Sequence, residues 1–186
     1  MAKATLFYGL GNNEKKYLKN KHNIGRLLAE KIAFKLNLSY QEKNGYAFAN
    51  TKFQDVDLYF LHSLGFMNNS GKPLEDFCKY FKKDFNIIVF QDDSDQLIGK
   101  QKMTLAGGSA GHRGIDNIYK YFSSNKIYRF KIGIRPEGNR LKSETFVLSN
   151  LNNFELERIE ILSQEILNNL KLFNEINLPN LQNIWN

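Results

Sequence analysis

The residues of this sequence equipped for chemistry are few and widely spaced: His22, His62 and His112, the acid Asp92, and the side-chain amides Asn12 and Asn68. An imidazole beside a carboxylate is the basic arrangement for general-base work, because its unperturbed pKa is about 6.5 and the carboxylate fixes the tautomer and stabilises the imidazolium. His22 stands just before a helical pattern, where a loop can carry it over the rim of a sheet, and Asp92 is read as its partner. Amides suit the same site, since they donate hydrogen bonds to a developing oxyanion or hold a water without competing for the proton. The glycine-rich stretch 107–114 is read as a substrate-contacting loop and no serine or cysteine as a nucleophile, so direct attack by water is expected in place of a covalent acyl intermediate.

The elements that must position these groups follow from hydrophobic periodicity. Residues 4–10 are apolar and aromatic and read as a buried strand; Ile24, Leu27, Leu28, Ile32 and Leu36 then recur at near-helical spacing after Asn23, a capping-type residue. Strands are expected over 46–53 and 56–62, and Leu74, Phe77, Cys78 and Phe81 mark one face of a helix starting near Ser70. The most apolar strand is 86–91. A glycine-rich loop, 107–114, leads into a helical stretch with Ile118 and Phe122 on one side, 128–134 alternates as a strand, and 154–173 reads as one long amphipathic helix. The polar stretch 136–143 is expected to be a surface loop and 175–186 to be irregular.

Strands and helices that interleave in this way predict a single three-layer α/β domain over residues 1–186, with a central mixed, mostly parallel sheet flanked by helices. In such sheets ligands bind beyond the carboxyl ends of the strands. Asn12, the segment Phe66-Met67-Asn68, and Asp92 each follow a predicted strand, so all three should meet at one crevice with His22.

Composition is that of a soluble globular protein, with 42% hydrophobic and 24% charged residues. The single Cys78 excludes an internal disulfide, no secretory leader pattern opens the sequence, and no apolar run approaches the ~18 residues of a membrane span; a cytoplasmic monomer without membrane contact is expected. Lys plus Arg number 26 against 19 Asp plus Glu, a formal charge of +7 that favours a polyanionic partner such as nucleic acid. Gly9-Leu10-Gly11 begins like a dinucleotide fingerprint but meets Glu14 where the third glycine should stand, and 107–114 lacks the Lys-Ser/Thr of a phosphate-binding loop. The histidines are too scattered for a local metal motif, so neither metal nor cofactor is expected; His62 and Cys78 read as structural.

Gly9-Leu10-Gly11-Asn12, Tyr17 and Lys21-His22-Asn23-Ile24-Gly25 together resemble the amino-terminal signature of the bacterial peptidyl-tRNA hydrolases. Phe66-Met67-Asn68-Asn69-Ser70-Gly71, Asp92-Asp93-Ser94-Asp95, the loop 107–114 and Lys131-Ile132-Gly133-Ile134 look like the same family, in the same order, over nearly the whole chain. The resemblance implies an enzyme that hydrolyses the ester joining a peptide to the 3′-terminal ribose of tRNA. His22 would be the base, Asp92 its orienter, and Asn12 and Asn68 would polarise the ester region. Tyr17, Phe66, Met67 and the loop around Gly111 would line the channel.

The sequence departs from the family pattern where Asn12-Asn13-Glu14 replaces Asn-Pro-Gly, Lys21 replaces an arginine, and Arg113 replaces the asparagine after Gly-His. Ala106, Ser109 and Ala110 also stand where the family favours more glycine and a histidine. Arg113 could assume part of the missing asparagine's task, or contact the terminal adenosine or a phosphate, since a planar guanidinium suits both. Lys100, Lys102, Arg129 and Lys131 are candidate phosphate contacts, with solubilising surface charge as the competing reading. A tRNA ligand would be recognised through backbone charge and its unpaired 3′ end, with steep salt dependence. Two other readings stay open: a non-catalytic structured-RNA-binding relative, as plant organellar splicing factors are similar to this family, and a hydrolase of other esters.

Overall fold

The computed structural model describes residues 4–138, 142–175, 181, 184 and 185. Its strands and helices are, in chain order, β1 (Ala4–Gly9), α1 (Ile24–Lys35), β2 (Gln41–Lys43), β3 (Tyr46–Phe53), β4 (Val56–Ser63), α2 (Gly71–Phe81), β5 (Phe85–Leu97), β6 (Gln101–Leu105), α3 (Arg113–Ile118), β7 (Ile127–Arg135), α4 (Ser143–Phe146), α5 (Asn153–Asn168) and α6 (Leu170–Glu175). Seven strands form one sheet in the order β2-β3-β4-β1-β5-β7-β6. Its centre, β4-β1-β5-β7, is parallel; β2, β3 and β6 are added antiparallel at the flanks. The mostly parallel sheet expected from the sequence is therefore a description of the core.

Alternation along β1 assigns the two layers. Phe7 points to the face covered by α1, α5 and α6, and stacks between Phe60 and Phe90 with centroids 5.3 Å away on each side. Leu6 and Tyr8 point to the other face, with Leu74 and Phe77 of α2 and Ile115 and Ile118 of α3. Each such side chain, fully withdrawn from water, contributes about 1.5–3 kcal/mol of transfer free energy.

Several elements differ from expectation. The long helix 154–173 breaks at Asn169 into α5 and α6. The stretch around Phe122 is not helical beyond Ile118, and β2 and β6, short and mostly polar, carry too little hydrophobic pattern to be foreseen. In the segment 175–186, expected to be irregular, Leu181, Ile184 and Trp185 are helical, and the Trp185 ring lies 5.3 Å from Phe130 in the core. Residues 176–180, 182, 183 and 186 lie outside the described residues, as do 139–141 of the expected surface loop.

Register sets the depth of the crevice. Gly9, the last residue of β1, is level with Phe90 of β5 and His62 of β4, so Asp92 projects two residues beyond the end of its neighbour. Glycines bring α1 against this rim: a Cβ on Gly25 would sit 2.1 Å from the Phe90 carbonyl oxygen, and one on Gly9 would sit 2.7 Å from Arg26 Cα. The glycines that mimicked a dinucleotide fingerprint thus serve close helix-to-strand packing.

Candidate active site

His22 is carried by a single 3₁₀ turn, Lys21–Asn23, immediately ahead of α1. Its backbone N–H donates to the Val147 carbonyl at 2.9 Å, and its Nδ1 lies 2.8 Å from Asp92 Oδ1. The Asp92 carboxylate is 4% exposed and can only accept, so Nδ1 carries the proton and Nε2 is left with its lone pair.

The same Oδ1 is 3.0 Å from His112 Nε2, and the two imidazole rings are 5.1 Å apart. His112 caps α3, its Nδ1 accepting from the N–H groups of Gly114 and Ile115 at 3.2 and 3.4 Å. An Nδ1 that accepts from backbone must leave the proton on Nε2, so His112 donates to Asp92. His22, Asp92 and His112 offer three ligand atoms within 4.8 Å of one another, a grouping that could in principle hold a metal ion. A protonated His112 Nε2 is not a ligand, and the hydrogen-bonding pattern therefore fits an acid-base cluster better than a metal site.

Electrostatics separate the two partners. Burial favours a neutral Asp92, yet the two imidazoles outweigh it and hold the carboxyl well below the usual carboxylate range. For His22 burial disfavours the charged form and Arg113 adds to that, but Asp92 prevails and leaves the imidazole above its ordinary value. A base whose pKa is raised toward neutrality takes a proton from water more readily.

Asn12 has its orientation fixed from both sides. Its Oδ1 accepts from Met67 N at 2.8 Å, so Nδ2 is the part left to donate into the cleft. Its backbone N–H and C=O are both held by the Asn23 side chain, at 2.8 and 2.9 Å. Asn23, expected to cap α1, makes no capping bond and serves instead as the clamp on Asn12. Asn13, where the family pattern has proline, makes two bonds that proline could not: N–H to the Gly65 carbonyl at 3.1 Å, and Oδ1 from Arg26 Nη1 at 2.7 Å.

These groups open on a cleft of about 880 Å³. It is lined by Asn12, Tyr17, His22, Phe66, Met67, Asn68, Asp92, Gly111, Arg113 and Lys131 among the residues singled out from the sequence, together with Gln91, His112, Val147 and Leu148. Phe66 is 53% exposed there, while Met67 is buried. Lys131 borders the cleft but is tied to Asp93 at 3.0 Å, and Lys102, exposed, lies opposite it across the β6–β7 ladder.

Of the four candidate phosphate contacts, Lys131 alone lines the cleft, and Lys100, Lys102 and Arg129 stand outside it. Arg129 is buried, and its guanidinium donates to the carbonyls of Gly108 at 2.8 Å and Ala106 at 3.1 Å, which makes it the internal brace of the 106–112 loop and corrects its reading as a phosphate ligand. Lys100 is exposed in the β5–β6 turn and borders a small hollow on the α5 side. The braced loop holds Ala106 at φ 61° and Ala110 at φ 54°, a left-handed conformation that costs an alanine roughly 1–2 kcal/mol relative to glycine.

His62 is buried 3.4 Å from Glu30 and its pKa is lowered to about 4, by burial first and then by Arg26. Cys78 is half-buried, and burial pushes its thiol up to about 12, which leaves it inert. The sequence reading gave no role in the site to His112, Asn23 or Gln91. The Gly111-His112 pair ahead of a helix was the available sign of His112. Gln91, buried beside the cleft, has an Oε1 without a partner, and no sequence signal marks that.

Comparison with known proteins places the chain in a family. The family model described as peptidyl-tRNA hydrolase matches residues 6–186. The chain is 34% identical over 169 residues to a peptidyl-tRNA hydrolase of Pelagibacter ubique, covering 90% of each, and 38% identical over 159 residues to one of Lactobacillus johnsonii, covering 80% of each. Its fold superposes on the crystal structure of peptidyl-tRNA hydrolase from Acinetobacter baumannii with a TM-score of 0.85, at 23% identity, over 98% of this chain and 94% of that one. A histidine set on a buried carboxylate, an oriented amide and an open cleft thus occur in a chain that belongs to the peptidyl-tRNA hydrolase family.

Proposed function

We propose that this enzyme hydrolyses the ester between a peptide and the 3′-terminal ribose of tRNA, with His22 as the general base, acting in the cytoplasm as a monomer. The observation that carries the reading is the 2.8 Å contact of His22 Nδ1 with Asp92, which leaves Nε2 as the basic atom beside the cleft. Nε2 takes a proton from water as its oxygen attacks the ester carbonyl carbon. Asn12 Nδ2 donates to the oxyanion that forms, an interaction whose loss usually costs about 10²–10³ in rate. When the tetrahedral species collapses, the bond from carbonyl carbon to ribose oxygen breaks and His22 returns the proton to that oxygen.

The remaining residues sort by chemistry. Exposed Phe66 and Asn68 offer an aromatic face and an amide at one lip, suited to an unpaired base or a peptide end. Arg113, which acts electrostatically on His22, offers its guanidinium to a phosphate or the terminal adenosine, and Lys102 and Lys131 extend positive charge beyond it. Replacement of His22 by Ala is expected to cost about 10²–10⁴ in the rate of peptide release from N-blocked aminoacyl-tRNA. A variant within fivefold of wild type would sink the assignment, and a wild-type protein that binds structured RNA but releases no peptide would favour a binding module.

A further inference from the structure

We infer that the buried ion pair between Lys21 and Glu155 is a positioning device for catalysis, setting His22 against Asp92 from behind. The inference rests on the proposed role of His22. Lys21 is adjacent to the base, its side chain is 6% exposed, and its Nζ reaches Oε1 of Glu155, 2% exposed, in the first turn of α5. Glu155 is itself fixed: its Oε2 accepts from Asn152 N–H at 2.8 Å while its own N–H donates to Asn152 Oδ1 at 2.9 Å, a complete capping box.

Backbone pairing extends the connection. Lys21 N–H donates to the Ser149 carbonyl at 2.9 Å, His22 N–H to that of Val147 at 2.9 Å, and Leu151 N–H to that of Lys19 at 2.8 Å; Asn20 and Asn150 form a bridge between these bonds. The base-bearing turn is thus laced along segment 147–151, and the ion pair locks that lacing to a capped helix. Val147 and Leu148 of the same segment line the cleft.

A pair buried this deeply is a poor source of stability, since desolvation of both charges offsets most of their attraction and an apolar pair of similar volume often serves as well or better. What an ion pair supplies and a greasy contact does not is direction. A turn of three residues has little internal rigidity, and a shift of about 1 Å in a catalytic group can cost about 10²-fold in rate.

The test is the double variant Lys21→Met with Glu155→Gln, which removes both charges while Gln retains the oxygen that accepts from Asn152. Peptide release from N-blocked aminoacyl-tRNA is measured from pH 5 to 9 beside the melting temperature. Positioning predicts a fall in kcat of about 10–100-fold with KM within threefold, and an acid limb moved to lower pH, because a loosened His22 loses the Asp92 contact that raises its pKa. Lys21→Arg, which keeps the charge and a donor, should restore kcat to within a few-fold of wild type. A double variant that melts at or above the wild-type temperature with unchanged kcat and pH profile overturns the inference, and so does loss of activity only in proportion to loss of folded protein. If the wild-type enzyme or the His22→Ala comparison fails its own test, the proposed function falls; these variants then bear only on folding.

Discussion

Asp92 receives two imidazole protons on one oxygen, and Asp92→Asn puts that arrangement to its most direct test. The substitution is nearly isosteric and removes the charge. Two hydrogen bonds to a buried carboxylate, at 2.8 and 3.0 Å, lose their ionic character, and bonds to charged groups contribute about 1.5–3 kcal/mol each. For His22 two changes follow. Burial remains while the carboxylate that outweighed it is gone, so its pKa should drop below the ordinary 6.5 or so of a free imidazole. Where the amide presents Nδ2, Nδ1–H has no acceptor, and the tautomer that places the proton on Nε2 is favoured, which removes the base. Together these effects should lower kcat/KM by about 10²–10⁴. The assay is peptide release from N-blocked aminoacyl-tRNA over pH 5–9, with circular dichroism to confirm folding at the assay temperature. The reasoning is refuted if the folded variant keeps more than a fifth of wild-type kcat/KM, or if its acid limb stays in place or moves up.

Two further outcomes are expected. Arg113→Asn removes a positive charge that lowers the His22 pKa, so the acid limb of kcat/KM should move to higher pH; a shift downward would show that Arg113 does not act on the base. His62 has a folded pKa of about 4 against about 6.5 unfolded, so its contribution is present above pH 6.5 and is lost as pH falls toward 4, a change on the order of 3 kcal/mol. His62→Gln should flatten the fall in melting temperature over that window, and an equally steep fall in the variant would assign the acid sensitivity elsewhere.

Much of the site was legible because its residues follow runs of apolar residues, even where, as at Asp92, the strand itself continues beyond them to Leu97. Asp92 follows the most apolar run in the chain, Asn12 follows the first, and the turn at Phe66-Met67-Asn68 follows the strand at 56–63. The illegible part depends on a chain crossing over itself. His112 reaches Asp92 only because the 106–112 loop folds back over β7, and the same fold-back buries Arg129, a residue whose type in an alternating strand looks solvent-facing. Asn23 reads as a cap by type and position, and becomes a clamp because α1 lies so close to β1 that Asn12 is the nearer partner. Lys21 and Glu155 are 134 positions apart, and nothing local in either neighbourhood signals a match.

That separation has a consequence for the order in which the enzyme becomes an enzyme. While it is being synthesised this chain is itself joined to tRNA by the kind of ester it is proposed to cleave. The parallel core strands β1, β4, β5 and β7 are all complete by Arg135, and Asn12, His22, Asp92 and His112 all precede that point. The segment that laces the base-bearing turn, 147–151, and the glutamate that locks it come afterward. A nascent chain can therefore close its sheet and assemble the acidic side of its cleft with the proposed base still unanchored, and the proposed hydrolytic site is completed only after the first turn of α5 leaves the ribosome.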